Sequence, residues 1–91
     1  MSFVKLTNHC IEQAHKRYRF DEDTLLKMAE KAVMEGYSVN DAPSQQIKKY
    51  LLQKQKQGQK AYGYSSYVFI FSDDFVLITT FRLPYKYQKT L

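Results

Sequence analysis

The 91-residue chain has few cysteines and glycines and no long apolar run, and each shortage excludes a class of protein. Cys10 is the single cysteine, so the chain can form neither an intramolecular disulfide nor a cysteine-rich zinc site. The longest apolar stretch, residues 67–71, is much too short to cross a membrane. The first residues have no apolar run behind their charge, which predicts no signal peptide. We expect a cytoplasmic protein with no membrane partner.

Motifs for the common kinds of catalysis are also missing. The sequence has no glycine-rich phosphate loop and no serine nucleophile elbow. His9 and His15 are separated by about 240° around a helix, so they do not share a face as a pair of metal ligands would. We predict no metal and no cofactor. Cys10 beside His9 is interpreted as a small buried hydrophobe rather than as the nucleophile of a thiol enzyme.

The residues that are abundant are aromatic and basic. A hydrophobic content of 44%, with eight Tyr and six Phe, is typical of one small globular domain with a largely aromatic core. Lys and Arg number 14 against nine Asp and Glu, which gives a net charge of +5. This excess favours a polyanion as partner, although many small basic domains have no such partner.

The first half of the chain predicts helices. Thr7 or Asn8 can cap a helix that runs to about Arg17, because a side-chain oxygen at this position accepts an unpaired backbone N–H. Acidic residues at 21–23 favour the start of a second helix, which Gly36 ends. Asp41 or Ser44 can cap a third helix, although its Gln/Lys-rich end could equally be a frayed connection.

After Gly58 the pattern changes to β-strands at 60–64, 67–71 and 75–81. A tight turn at 72–74 makes the last two strands an antiparallel hairpin that is apolar on both faces. Helices can cover one face, and the other needs a helix, the C-terminal tail or a partner subunit. We predict one α+β domain over residues 1–91, with two or three N-terminal helices (about 7–57) packed on a three- to four-stranded antiparallel sheet. The meander of this sheet spans about 60–83, and a basic tail follows at 84–91.

Side chains suited to phosphodiester chemistry lie on the first helix and at the end of the last strand. RNA cleavage without a metal needs an acid, a base and cations that stabilise the phosphorane. His9 can transfer protons near neutral pH, and Arg17 and Arg82 can bind phosphate. Helix geometry alone places His9 on a solvated face, and a charge such as Arg82 commonly ends a strand without contacting a ligand.

The segment from Thr7 to Arg17 resembles the opening helix of small RelE-like domains, in which a His begins the helix and an Arg follows eight residues later. Residues 67–71 and 77–84 resemble the closing hairpin of these phage-associated and toxin–antitoxin proteins, which belong to the barnase-, colicin- and RelE-type ribonucleases. The resemblance implies a RelE-like fold and a metal-independent endoribonuclease. The family often has a second Arg four residues after the His, and Gln13 stands there.

The resemblance implies roles for His9 and Arg17 on the first helix and for Thr79 or Thr80 with Arg82 on the last strand. The catalytic residues would be His9, with Arg17 and Arg82 stabilising charge and Thr80 positioning the phosphate. Beside these, the cations of Lys16 and Lys86 and the ring of Tyr85 predict contacts that bind the RNA. The register of the last strand leaves open whether Thr79 or Thr80 faces the site.

Two alternatives to a ribonuclease remain open. The first is a non-catalytic module of the same fold that binds nucleic acid through its basic surface. The second is a protein that docks on an antitoxin, a host protein or a phage protein through an uncovered apolar face of the hairpin. Either could act as a monomer or as a homodimer.

Overall fold

The computed structural model describes residues 3–88, and in it a four-stranded sheet carries helices on both faces. The strands lie in the order β1-β4-β3-β2 across the sheet. The Cα radius of gyration is 12.2 Å, as expected for a compact chain of this length. The elements in chain order are β1 (Lys5–Leu6), α1 (Asn8–Tyr18), α2 (Glu22–Glu35), α3 (Gln45–Lys54), β2 (Gln59–Tyr64), β3 (Tyr67–Ser72), β4 (Val76–Arg82) and α4 (Tyr85–Gln88).

Each of the three longer helices begins at a capping side chain. The hydroxyl of Thr7 accepts a hydrogen bond from the N–H of Cys10 at 3.1 Å, and Ser44 accepts one from Ile47 at 3.2 Å. The N–H of Thr24 donates to the carboxylate of Asp21 at 2.7 Å and lowers the pKa of that carboxyl. These caps confirm the predicted starts and decide between the alternatives that the sequence left open.

The third predicted helix is present, but it ends at Lys54, within the Gln/Lys-rich segment, and residues 55–58 form a non-helical connection to β2. Ile47 and Leu51, one turn apart, are completely buried. Burial of two such side chains contributes about 3–6 kcal/mol, and the helix ends within one turn of the last of them.

The antiparallel meander β2-β3-β4 is confirmed, but the sheet as a whole is mixed rather than antiparallel. Strand β1 pairs in parallel with β4, with Lys5 opposite Val76 and Leu6 opposite Leu77. The prediction missed β1 because two residues are too few to show the alternation by which a strand is recognised. The N–H of Lys5 donates to the carbonyl of Phe75 at 3.0 Å and joins the start of the chain to the sheet.

Alternate residues of β3 belong to two separate hydrophobic clusters on opposite faces of the sheet. Phe69 and Phe71 pack with the buried residues of α1 and α2. Val68 and Ile70 pack with Ile47 and the other buried residues of the α3 side. All four of these β3 side chains are at most 2% exposed. Strand β3 is therefore buried on both faces.

The second face of the hairpin is covered by α3 and by Tyr87 of α4. The predicted tail is thus partly helical, and its last residues, 89–91, lie outside the described part of the chain. The apolar face on which the protein-docking alternative depended is occupied by the chain itself. Among residues 3–88, no helix is long and apolar enough to cross a membrane.

The outer edge of β2 is closed by residues from elsewhere in the chain. Tyr37 and Gly63 exchange backbone hydrogen bonds of 2.9 and 2.8 Å, and the side-chain carbonyl of Gln55 accepts the N–H of Ala61 at 2.8 Å. These contacts leave few free donors for another strand to pair with. A Cβ atom at Gly63 would collide with the ring of Tyr37, so this close approach requires glycine.

We predict that Gly63→Ala lowers the free energy of unfolding by about 1–3 kcal/mol, because the added methyl overlaps the Tyr37 ring. Urea denaturation of this variant, of Tyr37→Ala and of the double variant measures the coupling between the two positions. The cost of Gly63→Ala should fall once the ring has been removed. Gly58→Ala, where no atom lies within 4 Å, is the matched control and should cost the same with or without the ring. Equal costs of Gly63→Ala in both backgrounds would contradict the collision.

Candidate functional site

Helix α1 carries three of the predicted site residues on its exposed surface. His9 lies in the first turn, and Lys16 and Arg17 lie in the last turn. A helix rises about 1.5 Å per residue, so His9 and Arg17 are about 12 Å apart along the axis. Cys10 and Ala14 face the core from the same helix and are 1% exposed. The exposed side of α1 is therefore a basic flank, with its histidine at the far end from its arginine.

Strand β4 contains a bulge that decides which threonine faces α1. Phe71 pairs with Leu77, and Ile70 pairs with Thr79, so Ile78 is an extra residue in β4. Thr79 therefore lies on the α3 face of the sheet. Thr80, opposite Phe69, and Arg82, opposite Tyr67, lie on the α1 face.

The end of β4 meets the end of α1 through contacts of Arg82 with two tyrosines. The N–H of Arg82 donates to the Tyr18 hydroxyl at 3.1 Å, and the guanidinium lies 6.0 Å from the centre of the Tyr67 ring. The Tyr18 and Tyr67 rings pack edge to face at 5.3 Å. Arg17 and Arg19, the other two arginines of the chain, flank Tyr18. We call these five residues the arginine corner.

The Thr80 side chain is buried and forms a hydrogen bond within the sheet. Thr80 is 4% exposed, and its hydroxyl donates to the backbone carbonyl of Val68 at 3.0 Å. A phosphate contact would require this hydroxyl to leave that bond and become accessible. The predicted role of Thr80 at a phosphate stays a prediction, while the observed hydrogen bond stabilises the pairing of β3 with β4.

Beyond β4, Arg82 and Tyr85 line a shallow pocket of about 360 Å³ together with Leu83, Pro84 and Gln88. The Gln88 side-chain amide donates to the carbonyl of Leu83 at 2.6 Å and ties the short helix α4 to the end of the strand. Tyr85 is 72% exposed. The structure therefore brings the predicted residues Arg82 and Tyr85 together at one pocket.

A larger groove of about 540 Å³ lies between α3 and α4 and is lined by six polar or aromatic residues. Four of them follow the i, i+3, i+4, i+7 spacing of one helical face of α3. The other two belong to α4 and include Lys86, which the sequence predicted as a contact residue. The groove residues are Gln46, Lys49, Tyr50, Gln53, Lys86 and Tyr87. We call this the α3–α4 groove.

Aromatic rings and lysines alternate along the α3–α4 groove. The Tyr50 and Tyr87 rings are 4.9 Å apart, and Tyr50 packs edge to face against Phe81 at 6.2 Å. The ammonium of Lys54 lies 5.5 Å from the centre of the Tyr50 ring, and that of Lys86 lies 5.0 Å from that of Tyr87. The two ammonium groups therefore lie over the ring faces as cation–π contacts, which place positive charge at and beside the groove.

The groove belongs to a long stretch of sequence without negative charge. No Asp or Glu occurs between Asp41 and Asp73, whereas five lysines do: Lys48, Lys49, Lys54, Lys56 and Lys60. Seven of the nine acidic residues precede residue 42, in and around the first two helices. Lys60 lies opposite Phe71 on the α1 face of the sheet, whereas the other four belong to α3 and the segment after it, so the excess of positive over negative charge is largest on the α3 side.

Other kinds of site have little support among residues 3–88. No group of three or more His, Cys, Asp or Glu residues comes close enough to hold a metal ion in this part of the chain. Burial raises the pKa of the Cys10 thiol to about 11, so almost none of it is a nucleophilic thiolate at neutral pH. This agrees with the interpretation of Cys10 as a small buried hydrophobe.

No family model, curated protein or solved structure matches this chain. The likeness to RelE-like domains therefore rests on the residues quoted above.

The predicted site residues are divided among the arginine corner, the pocket beside it, the α3–α4 groove and helix α1. Arg17 and Arg82 lie at the arginine corner, Tyr85 lies at the pocket beside it, and Lys86 lies in the α3–α4 groove. His9 lies in the opposite end turn of α1, and Lys16 lies on the exposed flank of α1. Sequence reasoning missed the α3 residues of the groove: Gln46, Lys49, Tyr50 and Gln53. Their helical spacing beside the stripe of Ile47 and Leu51, within an acid-free stretch, was the signal that could have identified them.

We predict that Thr80→Val lowers the free energy of unfolding by about 0.5–1.5 kcal/mol, because the Val68 carbonyl loses a donor. Thr80→Ser keeps the hydroxyl and should recover most of the hydrogen-bond contribution, apart from the lost methyl. Thermal or urea denaturation followed by circular dichroism measures the difference. A Thr80→Val variant as stable as the wild type would show that the hydrogen bond contributes nothing.

Proposed function

We propose that this protein binds RNA, with the phosphate backbone held by the α3–α4 groove and the arginine corner. The observation that carries the proposal is the lining of the groove, where two lysines flank two tyrosine rings without a carboxylate among the lining residues. Nucleic-acid-binding surfaces combine these features, since cations neutralise phosphates and aromatic rings stack on bases. The resemblance to RelE-like ribonucleases favours RNA as the polyanion.

The two surfaces adjoin at the end of β4, and this supports a single continuous interface. Phe81 packs against Tyr50 of the groove, while the next residue, Arg82, belongs to the corner. The pKa of Tyr50 is raised by burial and further by its neighbours Tyr87 and Tyr18, and Tyr18 is itself a corner residue. The groove and the corner lie on opposite faces of the sheet, so one strand of RNA would contact both Lys86 and Arg82 by passing around the end of β4.

The salt dependence of binding tests this proposal. We expect Lys49→Gln/Lys86→Gln to reduce the slope of log K against log salt by about 1.4, because each contact with a single-stranded phosphate contributes about 0.7. At a salt concentration of about 50 mM this corresponds to a loss of roughly 50-fold in affinity. Fluorescence anisotropy of a labelled oligoribonucleotide over a range of salt concentrations measures both quantities.

Lys27→Gln/Lys31→Gln is the matched control, because both of these lysines are exposed on α2 and the net charge changes by the same amount. We expect this variant to lose less than about threefold in affinity, since only long-range attraction is reduced. Equal losses in the two double variants would show that net charge, rather than the groove, causes binding.

Metal-independent cleavage of the bound RNA is a second candidate function. The observation in its favour is that Arg82 lies on the sheet face covered by α1, the helix that carries His9 and Arg17. In this mechanism His9 acts as acid or base, Arg17 and Arg82 stabilise the phosphorane, and Thr80 positions the phosphate. It requires the side chains of His9 and Arg17 to span the distance between the two ends of α1, and the Thr80 hydroxyl to leave the Val68 carbonyl. The products carry a 2′,3′-cyclic phosphate or its hydrolysed form.

For cleavage we expect wild-type protein to cut RNA in the presence of a chelator, and His9→Ala to lower the rate by about 100-fold or more. His15→Ala is the matched control, because His15 is exposed on the same helix. Gel analysis of a labelled RNA reports the rate. RNA that is bound but left intact by wild-type protein at pH 5–9 would leave binding as the function.

A further inference from the structure

We propose that an unpaired nucleobase stacks on the solvent-facing surface of the contacting Tyr50–Tyr87 ring pair in the α3–α4 groove, so that the RNA recognised is single-stranded. The inference rests on the proposed binding function and names the class of RNA that the groove selects. It starts from a property of the lining that phosphate binding does not need: the groove contains two aromatic rings and two side-chain amides as well as lysines.

The two rings form a packed pair that can offer one surface to a base. Tyr50 and Tyr87 line one groove with their centres 4.9 Å apart and their planes inclined at 41°, so they contact each other and a base does not enter between them. Tyr50 also packs against Phe81 at an interplanar angle of 77°. A planar base that stacks on the groove side of this pair contacts rings that are already held in place, so little side-chain ordering opposes binding.

The amides have the hydrogen-bonding capacity that a base edge requires. Gln46 and Gln53 lie one turn before and one turn after the pair Lys49 and Tyr50, on the same face of α3. Each amide can both donate and accept, which matches the mixed donors and acceptors of a base edge. A phosphate offers only acceptors, so a groove for phosphate alone would need no acceptor in its wall.

Charge and volume agree with a nucleotide as the occupant. The volume of about 540 Å³ is within the range of pockets that hold small organic ligands. Lys49 and Lys86 are placed to bind the phosphates on either side of a stacked base. Burial holds the pKa of Tyr50 above its usual value, so this ring carries no negative charge that would repel the backbone at neutral pH.

These features select against duplex RNA. In a duplex the faces of each base are covered by its neighbours, and its deep major groove does not admit side chains. A duplex can offer the groove only phosphates. An unpaired base offers its faces to Tyr50 and Tyr87 and its edge to Gln46 and Gln53.

The test compares three labelled ligands of equal length with the full chain: a single-stranded oligoribonucleotide, the same strand with abasic residues, and a duplex. Stacking of one or two bases corresponds to a preference of roughly 5- to 150-fold for the strand that carries bases. We expect this preference over both other ligands. Wild-type protein suffices for this comparison, so it does not depend on a variant that folds.

Two variants locate the preference in the groove. Tyr87→Leu should remove most of it, whereas Tyr87→Phe keeps the ring and should retain it. Equal affinity of wild-type protein for the base-bearing strand and for the abasic strand or the duplex would overturn the base-binding inference and leave the proposed phosphate binding intact. A preference that Tyr87→Leu does not reduce would also overturn it. No binding to any of the three ligands would overturn the proposed function itself.

Discussion

Burial of β3 on both faces is the constraint on which the rest of the structure depends. Phe69 and Phe71 point to one side and Val68 and Ile70 to the other, and none can remain in water without a cost of about 1.5–3 kcal/mol each. Helices α1 and α2 cover only the first side. A chain of this length has one further amphipathic segment, α3, and its short C-terminal helix to cover the second. The layered architecture follows from four consecutive apolar side chains.

The burial of β3 on both faces also determines where the charged residues lie. Helix α3 buries Ile47 and Leu51 against the sheet, so its remaining residues face solvent or the groove, and these are mostly Gln, Lys and Tyr. The acidic residues are concentrated in and around α1 and α2 on the opposite face. The net charge of +5 does not by itself indicate where a partner binds. Because the sheet separates a basic side from a side on which acidic and basic residues are both present, the charge indicates the α3 side as the one that attracts a polyanion.

The extent to which the sequence predicts this protein depends on how local each signal is. Caps such as Thr7 and Ser44 act within one helical turn, and the alternation of β3 is contained in the strand itself, so the helices and the meander were predictable. The partner of β1 lies some 70 residues away in the chain, and two residues carry no pattern. The bulge at Ile78 places Thr79 on the α3 face and Thr80 on the α1 face, the reverse of what regular alternation from Leu77 would give, and no residue type in β4 predicts a bulge there. Among the residues of the candidate site, those of β4 and α4 were predicted and those of α3 were missed. The α3 and α4 residues are more than 30 positions apart in the chain, and only the packing of both helices on the sheet brings them to one groove.

The α3–α4 groove is joined to that core through two residues, Tyr50 of α3 and Tyr87 of α4. Tyr87 packs with the cluster on the α3 face and also forms the wall of the groove. A four-residue helix has little stability of its own, so α4 is held by this ring, by its backbone bonds to Pro84 and by the Gln88 contact with Leu83. A ligand that stacks on Tyr87 in the groove would bind only the docked form of α4 and would stabilise that form increasingly as the ligand concentration exceeds its Kd. Conversely, any substitution that loosens α4 weakens the groove even where it removes no contact with the ligand. Ligand binding in the groove and the docking of α4 on the second face of the sheet are thus thermodynamically coupled.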